Sequence, residues 1–128
     1  MDQKVVKLLK EQLWVLGTYS KEPNAVPVAF KDITDDGELA VGDVFLETTL
    51  SNVRDNGMIA VSACNASTME GYQIKGTAKY VTEGPIVDTF KKMVSDMFKG
   101  AVTAKGALII TAEKVIVTTP SADNKKEL

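Results

Sequence analysis

The alternation of side chains over residues 71–82 constrains the fold of this chain more than any other feature of its sequence. Apolar and polar residues follow one another there with a period of two, so that one face carries Tyr72, Ile74, Ala78 and Tyr80 and the other carries Gln73, Lys75, Thr77 and Lys79. A period of two predicts a strand with one buried face. Gly76 interrupts the apolar face, which indicates a bulge, a bend or the close approach of another group.

The segments around this strand predict further strands joined by short turns. Apolar spacing of three and four predicts a helix over residues 2–13, and Gly84-Pro85 opens another that ends at Gly100. Further elements are predicted as strands over 14–19, 25–30, 38–42, 58–64 and 106–118, the last bent around 112–114, and as a short helix over 50–55. Because strands and helices do not alternate, a doubly wound parallel sheet is disfavoured. We expect a mainly β chain, an antiparallel β-barrel of six or seven strands with flanking helices, since closing the sheet removes its edges.

The length of 128 residues suits one domain with one core. We expect this domain to cover residues 1–119. Residues 120–128 are almost entirely polar, and we expect them to form a flexible C-terminal tail.

The composition excludes several classes of chemistry. The chain has no histidine, so Ser-His-Asp and Cys-His catalysis and histidine-ligated metals are excluded, and no metal site is expected. Cys64 is the single cysteine, which rules out a disulfide within the chain and favours a cytoplasmic protein, and we expect its side chain to be buried. A net charge of -2 gives no footprint for nucleic acid, and no apolar run is long enough for a membrane span.

A cluster of small polar residues precedes the predicted short helix. It consists of Thr48, Thr49, Ser51 and Asn52. Such residues at a helix start can hold an anion, because free amides and the helix dipole converge there. Ser, Thr and Asn are also ordinary helix caps. The residues alone leave both interpretations open, with capping the commoner role.

Three segments together resemble a known family. They are the hairpin of Trp14–Tyr19 and Val26–Phe30, the segment Glu47–Val53, and the run Gly71–Gly76, which fits a pattern G-[FY]-x-[IV]-[KR]-G. Their order and spacing are similar to those of the pyridoxamine 5′-phosphate oxidase-like split barrels that bind FMN.

The resemblance implies an antiparallel split barrel of the FMN-binding type. It also implies a homodimer with each flavin between subunits, and a small-molecule redox partner. The phosphate would be held by the second strand and by the segment of Thr48 and Thr49, where many members carry a basic residue that this chain lacks. The cofactor-binding residues implied in this way are Val28, Ala29, Thr48, Thr49, Asn52, Gln73, Lys75 and Lys105.

Three functions remain open on the sequence. The first is a flavin-dependent oxidoreductase, in which the cofactor supplies the redox chemistry and no catalytic side chain need be visible. The second is a non-catalytic ligand-binding or interaction module on the same barrel. The third is a heme-binding split barrel, against which the absence of histidine argues. Lys75 and Lys105 fit a solvated surface at least as well as they fit a ligand site.

Overall fold

The computed structural model describes all residues, 1–128, as seven strands and three helices. In chain order these are α1 (Gln3–Glu11), β1 (Trp14–Tyr19), β2 (Pro23–Val28), β3 (Lys31–Ile33), β4 (Leu39–Asp43), α2 (Glu47–Asn56), β5 (Met58–Cys64), β6 (Gly71–Val81), α3 (Pro85–Phe98) and β7 (Gly106–Val117). The structure contains no helix that is both long enough and apolar enough to span a membrane.

The strands form one antiparallel sheet in the order β2-β1-β5-β6-β7-β4-β3. The sheet curls into a half-barrel around a core of 18 buried residues, which includes Trp14, Leu16, Ile74 and Ile110. β2 and β3 follow one another in the chain, yet they form the two opposite edges of the sheet. The predicted antiparallel split barrel is therefore confirmed, and β3 is a strand that the sequence did not indicate.

The pairing of β6 with β7 contains the predicted irregularity. Lys75 lies opposite Lys114 but Gly76 lies opposite Ala112, so Glu113 is an extra residue on β7. A Cβ atom on Gly76 would lie 2.0 Å from the carbonyl oxygen of Thr111. The backbone of β7 is thus the group whose close approach requires glycine here.

The helices close the half-barrel on different sides. α1 buries Val5, Leu8 and Leu9 against the core, and the indole of Trp14 donates a hydrogen bond of 2.8 Å to the carbonyl of Leu9. α3 packs on the outer side of β4 and β7 around a second cluster that contains Phe90. α2 packs against β1, β2 and β6.

α2 begins earlier than the sequence indicated. Its first residue is Glu47, because the Asp43 carboxylate accepts the Leu46 N–H at 3.1 Å and supports the turn between β4 and α2. Thr48 and Thr49 therefore lie inside the first helical turn and not before it. The helix ends where Gly57 adopts a φ of 70°.

The C-terminal segment differs from the expectation of a flexible tail. It folds back along β7. The Val117 N–H donates to the Lys126 carbonyl oxygen at 2.9 Å, and the Lys125 N–H donates to the Val117 carbonyl oxygen at 2.7 Å. The Leu128 N–H donates to the Val115 carbonyl oxygen at 2.8 Å. β4 pairs only with residues 106–110 of β7, so the far half of that strand has an open edge. Residues 125–128 form backbone hydrogen bonds with this open edge.

Candidate functional site

Of the eight residues implied by the resemblance, the structure places seven on four surfaces. Val28 and Ala29 line an apolar groove, Lys105 lines a cleft beside it, and Thr48 and Asn52 line a polar cleft on α2. Lys75 and Gln73 lie on the outer face of β6, away from these three. Thr49 is buried beneath α2. The first three surfaces are continuous with one another and form the candidate site.

The apolar groove runs between the ends of β2 and β4 and the end of α3. Its volume is about 380 Å³, and its lining consists of Val26, Pro27, Val28, Ala29, Phe30, Gly42, Val44, Phe45, Leu46 and Phe98. The Phe30 and Phe98 rings lie 6.0 Å apart at an angle of 59°. Phe45 is 76% exposed, which is unusual for so large an apolar side chain. This groove suits a flat apolar ring.

A second cleft, here called the cationic cleft, adjoins this groove. Its volume is about 570 Å³, and its lining consists of Asp43, Val44, Phe45, Leu46, Glu47, Leu50, Arg54, Tyr80 and Lys105. The segment Val44–Leu46 lines both the groove and the cationic cleft and is their common wall. Arg54 is the only arginine of the chain.

Of the two acidic residues that line the cationic cleft, Glu47 is exposed and Asp43 is already engaged in hydrogen bonds. Asp43 is 1% exposed, and its carboxylate oxygens accept hydrogen bonds from the Leu46 N–H at 3.1 Å and from the Tyr80 hydroxyl at 2.6 Å. Burial, together with the Asp43 carboxylate, raises the pKa of Tyr80 to about 12. The Tyr80 hydroxyl therefore stays protonated near neutral pH and remains a hydrogen-bond donor to Asp43.

Two of the implied ligands connect α2 to the first hairpin. Thr49 is 1% exposed and its hydroxyl accepts a hydrogen bond from Asn24 at 3.1 Å. The side-chain amide of Asn52, 5% exposed, donates to the Thr18 hydroxyl at 3.1 Å. These hydrogen bonds position α2, whatever else the two side chains contact.

Thr48 lies on the exposed side of the same helix. It lines a polar cleft of about 720 Å³ together with Ser20, Lys21, Glu22, Ser51, Asn52, Arg54 and Asp55. Arg54 lines this cleft as well as the cationic cleft. Backbone amides of the first turn of α2, at Thr48 and Thr49, make no backbone hydrogen bond. Anion donors are therefore present along one side of α2.

Sequence reasoning missed Asp43, Phe45, Arg54 and Tyr80. One available signal is the spacing of Glu47, Leu50 and Arg54, which places the arginine on one helix face with the first turn. No local signal connects Tyr80 to that helix, because the two lie on separate elements. Cys64, expected to be buried, is exposed at the end of β5 because its position in the strand alternation points outward.

The fold and the site define a split-barrel protein with an apolar groove beside a cleft that contains two cations. Residues 1–122 match the family model described as pyridoxamine 5′-phosphate oxidase, so the chain belongs to this family. An uncharacterised protein of Methanocaldococcus jannaschii is 29% identical over 119 residues, which cover 90% of this chain and 78% of that protein.

Solved structures share the fold over nearly the whole chain. HupZ of Group A Streptococcus is 25% identical with a TM-score of 0.81, covering 96% of this chain and 98% of the other. An FMN-binding protein of Syntrophomonas wolfei subsp. wolfei is 15% identical with a TM-score of 0.79, covering 90% and 84%. A putative pyridoxamine 5′-phosphate oxidase of Lactobacillus delbrueckii is 18% identical with a TM-score of 0.72, covering 91% and 93%.

Proposed function

We propose that this chain binds FMN across the apolar groove and the cationic cleft and acts as a flavin-dependent oxidoreductase on a small-molecule partner in the cytoplasm. The observation that carries the proposal is the common wall Val44–Leu46, which places an aromatic-lined groove directly beside two cationic side chains. FMN has the matching chemistry, since a flat ring system and a phosphate are joined by a flexible chain. A neighbour of the same fold is an FMN-binding protein.

The ring half of FMN fits the groove. Phe30, Phe45 and Phe98 offer aromatic surface, and Val28 and Ala29 offer backbone and small apolar side chains. Ligand sites commonly combine mostly apolar walls with a few polar groups that fix orientation.

The phosphate half fits the cationic cleft. Arg54 and Lys105 line it, and they supply the positive charge that Thr48 and Thr49 lack. Charge-assisted hydrogen bonds are about twice as strong as neutral ones. Two carboxylates also line the cleft: both oxygens of Asp43 accept hydrogen bonds within the protein, and Glu47 is exposed to solvent, which screens its charge. A placement nearer Thr48 remains compatible with Arg54, which lines the polar cleft as well.

FMN, when bound, supplies the redox chemistry, and this chain supplies binding and orientation. These roles agree with the absence of histidine from the sequence.

We propose that two copies pair through the outer face of β1 and β5, where Val15, Tyr19 and Met58 are 40%, 61% and 65% exposed. Exposed apolar surface of this kind is typical of interfaces.

The test is a pair of fluorescence titrations with FMN and with riboflavin, which lacks the phosphate. Arg54→Gln removes a charge-assisted contact worth about 1.5–3 kcal/mol and should weaken FMN binding roughly 10- to 150-fold. Lys105→Gln should weaken it less, and riboflavin binding should change little in both variants. Lys91→Gln changes an exposed lysine on α3 and serves as the matched control.

Two results would contradict the proposal. A wild-type protein that stays colourless and does not quench FMN fluorescence favours the non-catalytic module. Loss of FMN affinity in Thr48→Val but not in Lys105→Gln would move the phosphate to the polar cleft, which Arg54 lines as well.

A further inference from the structure

The hydrogen-bonded pair of Asp43, which is buried, and Tyr80, which is partly buried, connects the elements that surround the cationic cleft. Tyr80 lies on β6, and its hydroxyl donates to Asp43 at the end of β4 at 2.6 Å. The other Asp43 oxygen accepts the Leu46 N–H, which begins the turn into α2. One carboxylate thereby joins two strands and a helix start.

Each member of this pair also contacts one of the two cationic residues, Arg54 or Lys105. The Arg54 guanidinium lies over the Tyr80 ring, with its central carbon 5.5 Å from the ring centroid. The Lys105 backbone N–H donates to the Asp43 carbonyl oxygen at 2.8 Å. Arg54 and Lys105 come from different elements, 51 residues apart in sequence (105 minus 54), and each is anchored to one member of the pair.

The Tyr80 side chain has little freedom to move. A Cβ atom on Gly106 would lie 2.5 Å from the Tyr80 hydroxyl oxygen, so the ring packs directly on the backbone at the start of β7. Asp43 holds the hydroxyl from the other side. A ring fixed in this way provides a defined platform for an otherwise exposed arginine.

We propose that Tyr80 and Asp43 are positioning residues which direct Arg54 and Lys105 at a single anionic group, so that selectivity for a phosphorylated flavin over an uncharged one depends on this pair. The inference rests on the proposed FMN site and identifies Tyr80 and Asp43 as the residues on which its recognition of the phosphate depends. Neither residue needs to touch the ligand. Because Arg54 is exposed and has many rotamers, holding it in advance reduces the entropy lost on binding.

The experiment measures the ratio of FMN affinity to riboflavin affinity in a double-mutant cycle of Tyr80→Leu and Arg54→Gln, with Tyr80→Phe as the conservative variant. Tyr80→Leu removes the ring and should lower the ratio roughly 2- to 30-fold, the range of a cation–π contact. Tyr80→Phe keeps the ring but removes one donor from Asp43, and should lower the ratio less. In the double variant the two losses should not add, because Tyr80 acts through Arg54.

Tyr72→Phe is the matched control on the same strand. The Tyr72 hydroxyl donates to the Glu70 carboxylate at 2.7 Å, as Tyr80 does to Asp43, but it lies at the other end of β6. This variant should leave the ratio unchanged, and circular dichroism should show that every variant is folded.

The outcomes separate this inference from the proposed function. If the wild type binds FMN and the Tyr80 variants keep its affinity ratio, or if the losses in the cycle add fully, the positioning role is wrong and the FMN site stands. If wild-type protein binds neither flavin, the FMN site and the inference fall together.

Discussion

At the scale of single residues, Thr48, Thr49 and Asn52 show how one short segment can serve two purposes. The sequence left open whether these residues bind a phosphate or cap the helix. In the structure Thr49 accepts a hydrogen bond from Asn24 and Asn52 donates one to Thr18, whereas Thr48 is exposed. Thr48 therefore differs from Thr49 and Asn52 in its exposure and in the expected cost of its substitution.

The expected costs can be compared within this one helix. Asn52→Ala should lower the free energy of unfolding by about 1–3 kcal/mol, because it leaves the buried Thr18 hydroxyl without its partner, and Thr49→Val should act similarly on Asn24. Thr48→Val should change it by less than about 0.5 kcal/mol, as exposed substitutions usually do. Urea unfolding measures all three. Equal effects across the three variants would show that the hydrogen bonds beneath α2 do not stabilise the fold.

At the scale of elements, the long β6–β7 pairing depends on one glycine. Glu113 is inserted opposite the boundary between Lys75 and Gly76, and the bulge brings the β7 backbone onto Gly76. Such bulges bend the strand and increase its twist, which a curled sheet requires. The alternation in β6 survives because the extra residue lies on the partner strand.

Substitution of this glycine should be costly. Gly76→Ala would place a Cβ atom 2.0 Å from the Thr111 carbonyl oxygen, so the strands must separate, at about 1–3 kcal/mol or more. The wild-type protein is the control. Thermal and urea unfolding of both proteins decide the matter. A Gly76→Ala protein as stable as the wild type would mean that the bulge relaxes without cost.

At the scale of the whole molecule, α3 covers the outer side of β4 and β7, but the outer side of β1 and β5 has no such cover. Val15, Gly17 and Ala60 are adjacent there by strand pairing, with Tyr19 and Met58 at one end. Small central residues and exposed apolar side chains make this a surface on which a second sheet could pack.

The proposed homodimer can be disrupted at this surface. Light scattering should return twice the 13.8 kDa chain mass, with an interface of about 1,200–2,000 Å² in total. Met58→Glu should shift the protein toward the monomer because it buries an unpaired charge in the interface. Met97→Glu on α3 alters a methionine that is 63% exposed, close to the 65% of Met58, and should leave the dimer intact. A monomeric wild type at micromolar concentration, or equal effects of both substitutions, would contradict the pairing.

Features that depend on neighbours in the chain could be predicted from the amino-acid sequence. The period-two pattern of β6 and the opening of α3 at Pro85 could both be predicted, because side-chain alternation and backbone preference act locally. The antiparallel class followed from the order of the elements.

Contacts between residues that are distant in the chain could not be predicted in this way and became visible in the folded molecule. The start of α2 at Glu47 depends on Asp43 and the Leu46 N–H, and the cationic cleft depends on Arg54 meeting Tyr80 from another element. The folded C-terminal segment depends on the edge of β7 that β4 leaves open. Local composition carries no information about these contacts, because their energy comes from pairing groups that the closed sheet brings together, and that pairing overrides the polar character of residues 120–128.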